Sequence, residues 1–234
     1  MSDHAVVSRE EWTEARKALL EKEKQLTRQR DELSQLRREL PWVRVTQEYV
    51  FEGTDGRKTL ADLFAGRSQL IVYHFMFGPE WEEGCPSCSF WADNFEGIDV
   101  HLAHRDATLV AVSRASFEKL DAYRKRMGWT FPWYSSAASE FNFDFGVSFT
   151  PGQVEAGSAS YNYRQTSVMD ELPGVSVFYR DGKGGVYHTY STFSRGLDML
   201  NGAYHFMDLL PKGRDEAELP WTMAWLRRHD QYED

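Results

Sequence analysis

The stretch Gly84-Cys85-Pro86-Ser87-Cys88 decides how the rest of the chain is interpreted. It contains the only two cysteines among 234 residues, spaced as C-x-x-C, and it follows the apolar run of residues 69–77. A buried strand leading into a helix that starts with C-x-x-C is typical of redox-active dithiols. Unpaired N–H groups and the dipole at a helix N-terminus favour the thiolate, which is the reactive form of cysteine.

The motif assigns a role to each cysteine. Cys85 at the helix start is the predicted nucleophile. Cys88 follows one turn later, close enough to attack a mixed disulfide formed at Cys85. Pro86 suits the first helical turn, because its missing N–H would have no partner there. The alternative is that both cysteines are inert, reduced thiols.

Strands and helices alternate on both sides of the motif and predict an α/β fold. The predicted elements are strands at 42–51, 69–77 and 107–113, helices at 59–64, 87–103, 116–127 and 197–210, and a hairpin of 172–180 with 186–190. Because β–α–β crossovers join parallel strands, we expect a parallel sheet covered on both faces. Residues 152–167 are predicted to be a loop, with a mobile lid as one interpretation.

The N-terminal segment is predicted to be one long helix. Ser8 and Glu11 form a capping box, and no Gly or Pro follows before Pro41. An apolar residue recurs every seven positions: Trp12, Leu19, Leu26, Leu33 and Leu40. The second apolar seam that a dimeric coiled coil needs is interrupted by Lys22 and Gln29. The helix therefore either lies on its own domain or a partner's, or pairs subunits into a homo-oligomer.

Composition predicts a soluble globular protein. Hydrophobic residues make up 41% of the chain and aromatic residues 15%, which is ample for a core. No apolar run approaches the ~20 residues that span a membrane, and no apolar signal segment is present. The net charge of −9 argues against a nucleic-acid partner. We expect a cytoplasmic location, where a C-x-x-C pair is catalytic or metal-binding rather than structural.

Aromatic side chains are concentrated in residues 129–149. This density predicts either a covering of the core or the wall of an apolar groove. We divide the chain into an N-terminal helix (1–41), an α/β domain (42–212) with an aromatic-rich insertion (129–170), and a C-terminal extension (213–234). Gly182-Lys183-Gly184-Gly185 matches neither nucleotide-binding pattern, so no nucleotide or other cofactor is expected.

The order of elements resembles the thioredoxin fold over residues 42–210, which implies three layers, α/β/α. In that fold a cis-proline heads the strand facing the dithiol. Pro173 is the matching position, and a cis Leu172–Pro173 bond is a hypothesis. The stretches "LPWVRV", "QLIVYHFMFGPEW", "GCPSCSFWADNF" and "WLRRHDQY" make the whole chain similar to DUF899, a bacterial family of thioredoxin-like proteins predicted to be dithiol–disulfide oxidoreductases.

The resemblance implies that Cys85 and Cys88 act on a protein or small-molecule disulfide. The predicted substrate groove consists of Trp81, Pro86, Ser87 and Pro173. The chain departs from thioredoxin at Gly84, where thioredoxin has Trp, and no counterpart of thioredoxin's buried carboxylate is evident. Glu82 and Glu83 would oppose thiolate formation at Cys85 if they pointed towards it.

Two interpretations compete with this oxidoreductase. One is a binding or assembly protein without redox turnover, whose ligand groove is residues 129–149. The other is a peroxidase, but the peroxiredoxin signature P-x-x-x-T-x-x-C is missing, because Glu82 stands where Thr or Ser is required.

Histidines and the charged tail also allow two interpretations each. His74 either tunes the cysteines or is a hydrogen-bonded core residue. His101 and His104 complete a spacing close to that of a zinc finger. Ligands on one long helix could not converge, so no metal is expected. The tail Arg227-Arg228-His229-Asp230 either closes over the site or is solvated.

Overall fold

A computed structural model describes residues 4–233, which form two compact units with the boundary between Pro41 and Trp42. The first unit is the predicted helix, α1 (Arg9–Arg38), about 45 Å long at 1.5 Å per residue. Its capping box is confirmed, because the Glu11 N–H donates to Ser8 Oγ and the Ser8 N–H donates to Glu11 Oε2.

The apolar side chains of the heptad positions in α1 are exposed to a similar degree. Trp12, Leu19, Leu26 and Leu33 each expose about half of their surface. Pairing of subunits through this helix stays a prediction.

The second unit contains the strands, which form one large and one small sheet. The large sheet comprises β1 (Val43–Arg44), β2 (Val50–Gly53), β3 (Gly56–Thr59), β4 (Gln69–His74), β5 (Ala107–Ser113), β6 (Trp133–Ser135), β9 (Gly174–Arg180) and β10 (Val186–Phe193). The small sheet pairs β7 (Ala159–Tyr161) with β8 (Arg164–Thr166). The helices are α2 (Pro86–Ala92), α3 (Asp99–Ala103), α4 (Phe117–Arg126), α5 (Phe141–Asp144), α6 (Pro151–Glu155) and α7 (Gly202–Met207), with 3₁₀ helices at Asp62–Phe64, Ser194–Leu200 and His229–Gln231.

The strand order of the large sheet is β1-β10-β9-β4-β5-β6-β2-β3. Only β4, β5 and β6 run parallel to one another, so the sheet is mixed rather than parallel. Its centre, β10-β9-β4-β5, has α2 between the parallel strands β4 and β5 and an antiparallel hairpin on the other side of β4. This is the thioredoxin arrangement, and the predicted α/β fold is confirmed.

Helices cover both faces of this sheet. Successive side chains of β4 point to opposite faces, so Tyr73 joins one hydrophobic cluster while Val72 and His74 face the other. The Tyr73 cluster packs against α2 and α4, and the other packs against α5 and the 3₁₀ helix Asp62–Phe64. The result is the expected three-layer architecture.

Several predicted elements are divided in the structure. The strand expected at 42–51 is two strands, because β1 pairs at one end of the sheet and β2 near the other. The helix expected at 87–103 is α2 and α3, separated near Gly97, whose φ of +77° suits glycine. The helix expected at 197–210 breaks at Asn201, which caps α7. The loop expected at 152–167 contains α6 and the β7–β8 hairpin.

The aromatic segment belongs to the core. Trp129, Phe131, Trp133, Phe141 and Phe149 are each at most 4% exposed. Trp133 also begins β6 of the large sheet, so residues 129–170 are not simply an insertion. Burial therefore favours the core interpretation over a ligand groove. Within residues 4–233 no helix combines the length and apolarity required to cross a membrane.

Candidate functional site

Cys85 lies at the start of α2, directly after the loop that leaves β4. It is the N-cap residue, and Pro86 occupies the first turn as predicted. Cys85 is partly exposed, and its Sγ accepts the Cys88 N–H at 3.5 Å. It also accepts a hydrogen bond from the Cys88 thiol, and this bond, together with those from the backbone N–H groups and the charge of Arg228, lowers the pKa of Cys85 to about 7 against the effect of burial.

Cys88 lies one turn later and is 2% exposed. Its Sγ accepts the Met76 N–H at 3.4 Å and a hydrogen bond from the Tyr73 hydroxyl. Burial raises the pKa of Cys88 well above its usual value, and the hydrogen bond to Cys85 adds to this. The two thiols are therefore unequal: the accessible one favours the thiolate and the buried one favours the thiol.

The residue before the dithiol is held in a confined space. The Cys85 N–H donates to Met76 O at 3.0 Å, which ties the loop to the chain that leaves β4. A Cβ atom on Gly84 would lie 2.8 Å from a Phe75 ring carbon and 3.0 Å from one of Tyr123. A side chain as large as Trp has no room there, which accounts for the departure from thioredoxin at Gly84.

A cavity of about 200 Å³ opens beside the dithiol. Cys88, Ser87 and Pro173 line one part of it, and apolar side chains including Trp91 and Met223 line much of the rest. The structure thus brings together two of the four residues predicted for a substrate groove. Trp81 and Pro86 lie outside this cavity: the Trp81 Nε1–H donates to Asp170 at 2.8 Å, and Pro86 is exposed.

His74 lies on the opposite face of the sheet from the cysteines. Its ring stacks on Phe141 and Phe145, and its Nε2 is 2.9 Å from Ser176 Oγ. Burial lowers the pKa of His74 to about 3, so the ring is neutral. The prediction that His74 tunes the dithiol is wrong, because the alternation of side chains along β4 points it away. The alternative, a hydrogen-bonded core histidine, is confirmed.

Within the charged tail, Arg228 packs beside the dithiol, whereas Arg227, His229 and Asp230 remain exposed. Arg228 donates to Gly84 O at 2.7 Å and pairs with Glu83 at 2.8 Å. Asp230 pairs with Arg126 at 2.7 Å, and Arg126 also pairs with Glu83. Two guanidinium groups therefore compensate the Glu83 carboxylate that was expected to oppose the Cys85 thiolate. The position of Arg228 agrees with the interpretation that the tail closes over the site, but its contacts with Gly84 and Glu83 carry no signal in the sequence.

A buried carboxyl group does exist near Pro173, but it does not contact the cysteines. Glu171 is 1% exposed, accepts a hydrogen bond from Ser148 Oγ at 2.6 Å and pairs with Arg114 at 3.0 Å. Burial raises the pKa of Glu171 to about 7. The described residues contain no cis peptide bond, so the hypothesis of a cis Leu172–Pro173 bond is wrong.

The histidines of the zinc-like spacing lie on a different helix from the cysteines. His101 belongs to α3 and His104 caps it, and both side chains are exposed. Among residues 4–233, no three His, Cys, Asp or Glu side chains are grouped so that they could hold a metal ion.

A comparison with family models agrees with the resemblance seen in the sequence. The model described as "Bacterial protein of unknown function (DUF899)" matches residues 1–232. The chain belongs to the DUF899 family. No curated protein matches this DUF899 chain in sequence.

Solved structures similar to this DUF899 protein include several peroxiredoxins. Peroxidoxin BcpB from Mycobacterium tuberculosis is 14% identical, and the match covers 70% of this chain and 97% of that one with a TM-score of 0.45. A variant of peroxiredoxin Q from Xanthomonas campestris is 17% identical, with coverage of 67% and 90% and a TM-score of 0.45. The mitochondrial 2-Cys peroxiredoxin from Plasmodium falciparum is 13% identical, with coverage of 70% and 91% and a TM-score of 0.39.

The confined space at Gly84 in this DUF899 protein gives a stability prediction. We expect Gly84→Ala to lower the free energy of unfolding by about 1–3 kcal/mol, because the new methyl group overpacks against Phe75 and Tyr123. Gly182→Ala is the matched control, since a Cβ there has no atom within 4 Å. Urea unfolding measures both, and equal stability of the two variants would contradict the prediction.

Proposed function

We propose that this protein is a dithiol–disulfide oxidoreductase in which Cys85 is the nucleophile and Cys88 the resolving thiol. The observation that carries the proposal is the asymmetry of the pair. Cys85 is partly exposed at a helix start with its pKa lowered to about 7, whereas Cys88 is buried with its pKa raised. A nucleophile poised near ambient pH beside a thiol that can resolve it is what disulfide exchange requires.

The proposed reaction has two thiol–disulfide exchange steps. The Cys85 thiolate attacks one sulfur of a substrate disulfide, which forms a mixed disulfide and releases the first substrate thiolate. Cys88 then loses its proton to solvent and attacks Cys85 Sγ, which forms the Cys85–Cys88 disulfide and releases the second substrate thiolate, which takes up a proton from solvent. Two electrons pass from the dithiol to the substrate, and an external thiol reductant regenerates the dithiol. The reverse sequence would oxidise a substrate dithiol.

A redox titration tests this proposal. The protein is equilibrated across ratios of reduced to oxidised dithiothreitol, alkylated, and its modified cysteines counted by mass, with and without a chelator. We expect a reversible transition of both thiols at a potential of about −120 to −270 mV, the range of known oxidoreductases. If both thiols stay reduced and unreactive throughout, the result would favour a binding protein without redox turnover. Alkylation only after chelation would indicate a metal site.

The cavity beside Cys88 suggests which disulfides are preferred. In the mixed disulfide, the group attached to the substrate sulfur lies within one helical turn of Cys88. It can therefore enter the cavity lined by Ser87, Cys88 and Pro173. Because the accessible surface of the cavity is largely apolar, we propose that an apolar substituent fills this space. Charged groups at the cavity, such as Asp198 and Arg214, already pair with one another at 3.2 Å.

Filling the cavity gives a further prediction. We expect kcat/KM to be greater for the mixed disulfide of glutathione with benzyl mercaptan than for glutathione disulfide. Thr222→Trp, at the exposed side of the cavity, should reduce this preference by about tenfold. Thr54→Trp, on the exposed β2–β3 turn, is the control. Equal preference in both variants would show that the substituent does not use this cavity.

A further inference from the structure

Arg228 holds the peptide unit that precedes the nucleophile. Its Nη2–H donates to Gly84 O at 2.7 Å and its Nε–H donates to the same oxygen at 3.2 Å. The Nε–Nη2 edge of the guanidinium thus faces the carbonyl of the Gly84–Cys85 peptide, 144 residues away in sequence. A planar fork of this kind fixes geometry in a way that a flexible ammonium cannot.

A second set of hydrogen bonds connects Arg228 to Cys85 itself. The Arg228 Nε–H also donates to Tyr123 Oη at 2.8 Å, and Tyr123 Oη lies 2.9 Å from Ser89 Oγ. The Ser89 hydroxyl donates to Cys85 O at 2.9 Å. The Arg228 guanidinium is therefore hydrogen-bonded directly to the Gly84 carbonyl. It is connected to the Cys85 carbonyl through the Tyr123 and Ser89 hydroxyl groups.

Arg228 also contributes a positive charge that acts on the nucleophile. Cys88, Tyr73 and Arg228 are among the ionisable groups that act on Cys85, and Glu83 lies two residues before it. Glu83 is paired with Arg228 and Arg126, and Arg126 is paired in turn with Asp230. The Arg228 side chain is only 12% exposed, so its charge acts on Cys85 with little screening by water.

We propose that Arg228 is a positioning residue of the dithiol, which fixes the Gly84–Cys85 peptide and places a positive charge beside the nucleophile. This inference rests on the proposed role of Cys85 as nucleophile. It gives the C-terminal segment a role in the chemistry of the C-x-x-C motif, although Arg228 lies 144 residues after Gly84.

Alkylation of the reduced protein by iodoacetamide between pH 5 and 10 tests the proposal, with Cys85 identified by peptide mass. In the wild type, the rate should rise with pH around a midpoint near 7, because the thiolate reacts. We expect Arg228→Met to raise this midpoint by about one pH unit, which slows alkylation at pH 6 by about tenfold. Arg228→Lys keeps the charge but loses the fork, so its midpoint should lie between the two.

Arg227→Met is the matched control, because the neighbouring Arg227 is exposed and its guanidinium donates to the carbonyls of Ala224 and Leu226 within its own segment. Its profile should match the wild type. An unchanged midpoint in Arg228→Met would overturn the proposal, as would an equal shift in Arg227→Met. If Arg228→Met does not fold, Tyr123→Phe removes the Tyr123 hydroxyl from the link to Ser89, and a wild-type profile there would also overturn the proposed link.

The measurement separates this inference from the proposed function, because alkylation requires no disulfide substrate. A shifted midpoint without redox turnover would support positioning by Arg228 and reject the oxidoreductase. Normal turnover with an unshifted midpoint would reject positioning and retain the oxidoreductase.

Discussion

Cys85→Ser is expected to abolish disulfide exchange, with a loss of about 10³-fold or more, because a serine hydroxyl cannot replace the thiolate as nucleophile. Cys88→Ser keeps the nucleophile at the start of α2 but lacks the thiol that resolves the mixed disulfide. We therefore expect Cys88→Ser to accumulate a covalent adduct at Cys85, seen by mass spectrometry as the added mass of one substrate thiol and removed by dithiothreitol.

The order of the two roles follows from the local geometry. Cys88 is 2% exposed and receives the Met76 N–H, so a substrate disulfide reaches Cys85 before it reaches Cys88. The Cys85→Ser/Cys88→Ser variant has no cysteine and serves as the zero-exchange control. Full exchange activity in both single variants would refute the mechanism. An adduct on Cys88 in the Cys85→Ser variant, at the wild-type rate, would reverse the two roles.

Phe141→Ala is expected to lower the free energy of unfolding by about 3–5 kcal/mol, because it leaves a large cavity in the core. The Phe141 side chain is fully buried and its ring centroid lies 4.6 Å from Phe145, 4.9 Å from Phe51 and 5.5 Å from His74. The measurement is urea unfolding, with the midpoints compared at equal slope.

Phe206→Ala is the matched control for the same truncation. Phe206 is 73% exposed, so the change should alter stability by no more than about 0.5 kcal/mol. A Phe141→Ala protein as stable as Phe206→Ala would mean that the aromatic segment is not part of the core. That result would restore the groove interpretation of residues 129–149.

Features that depend on neighbouring residues were predictable from the sequence. A C-x-x-C motif with Pro86 in the first turn specifies a helix start, and the apolar runs on either side specify buried strands. The capping box at Ser8 and Glu11 likewise requires only residues three apart. These local signals were sufficient to predict the βαβ unit, the β9–β10 hairpin and the two thiols of the site.

Features that depend on which face or edge an element occupies were not predictable. The alternation along β4 separates Tyr73 from His74 whatever the fold, but only the packing of α2 decides which of the two meets Cys88. The expected strand at 42–51 became two strands, because pairing at distant parts of the sheet overrides local propensity.

The sequence by itself determined the helix that Cys85 caps, the spacing that brings Cys88 within reach, and the thioredoxin-like order of elements along the chain. Only the tertiary structure decided that Gly84 has no room for a side chain, that His74 faces away, and that Arg228 holds the Gly84–Cys85 peptide. The physical reason is separation along the chain. Backbone propensities and caps act over a few residues, whereas close packing and charge pairing join residues whose proximity is set only when the whole core forms.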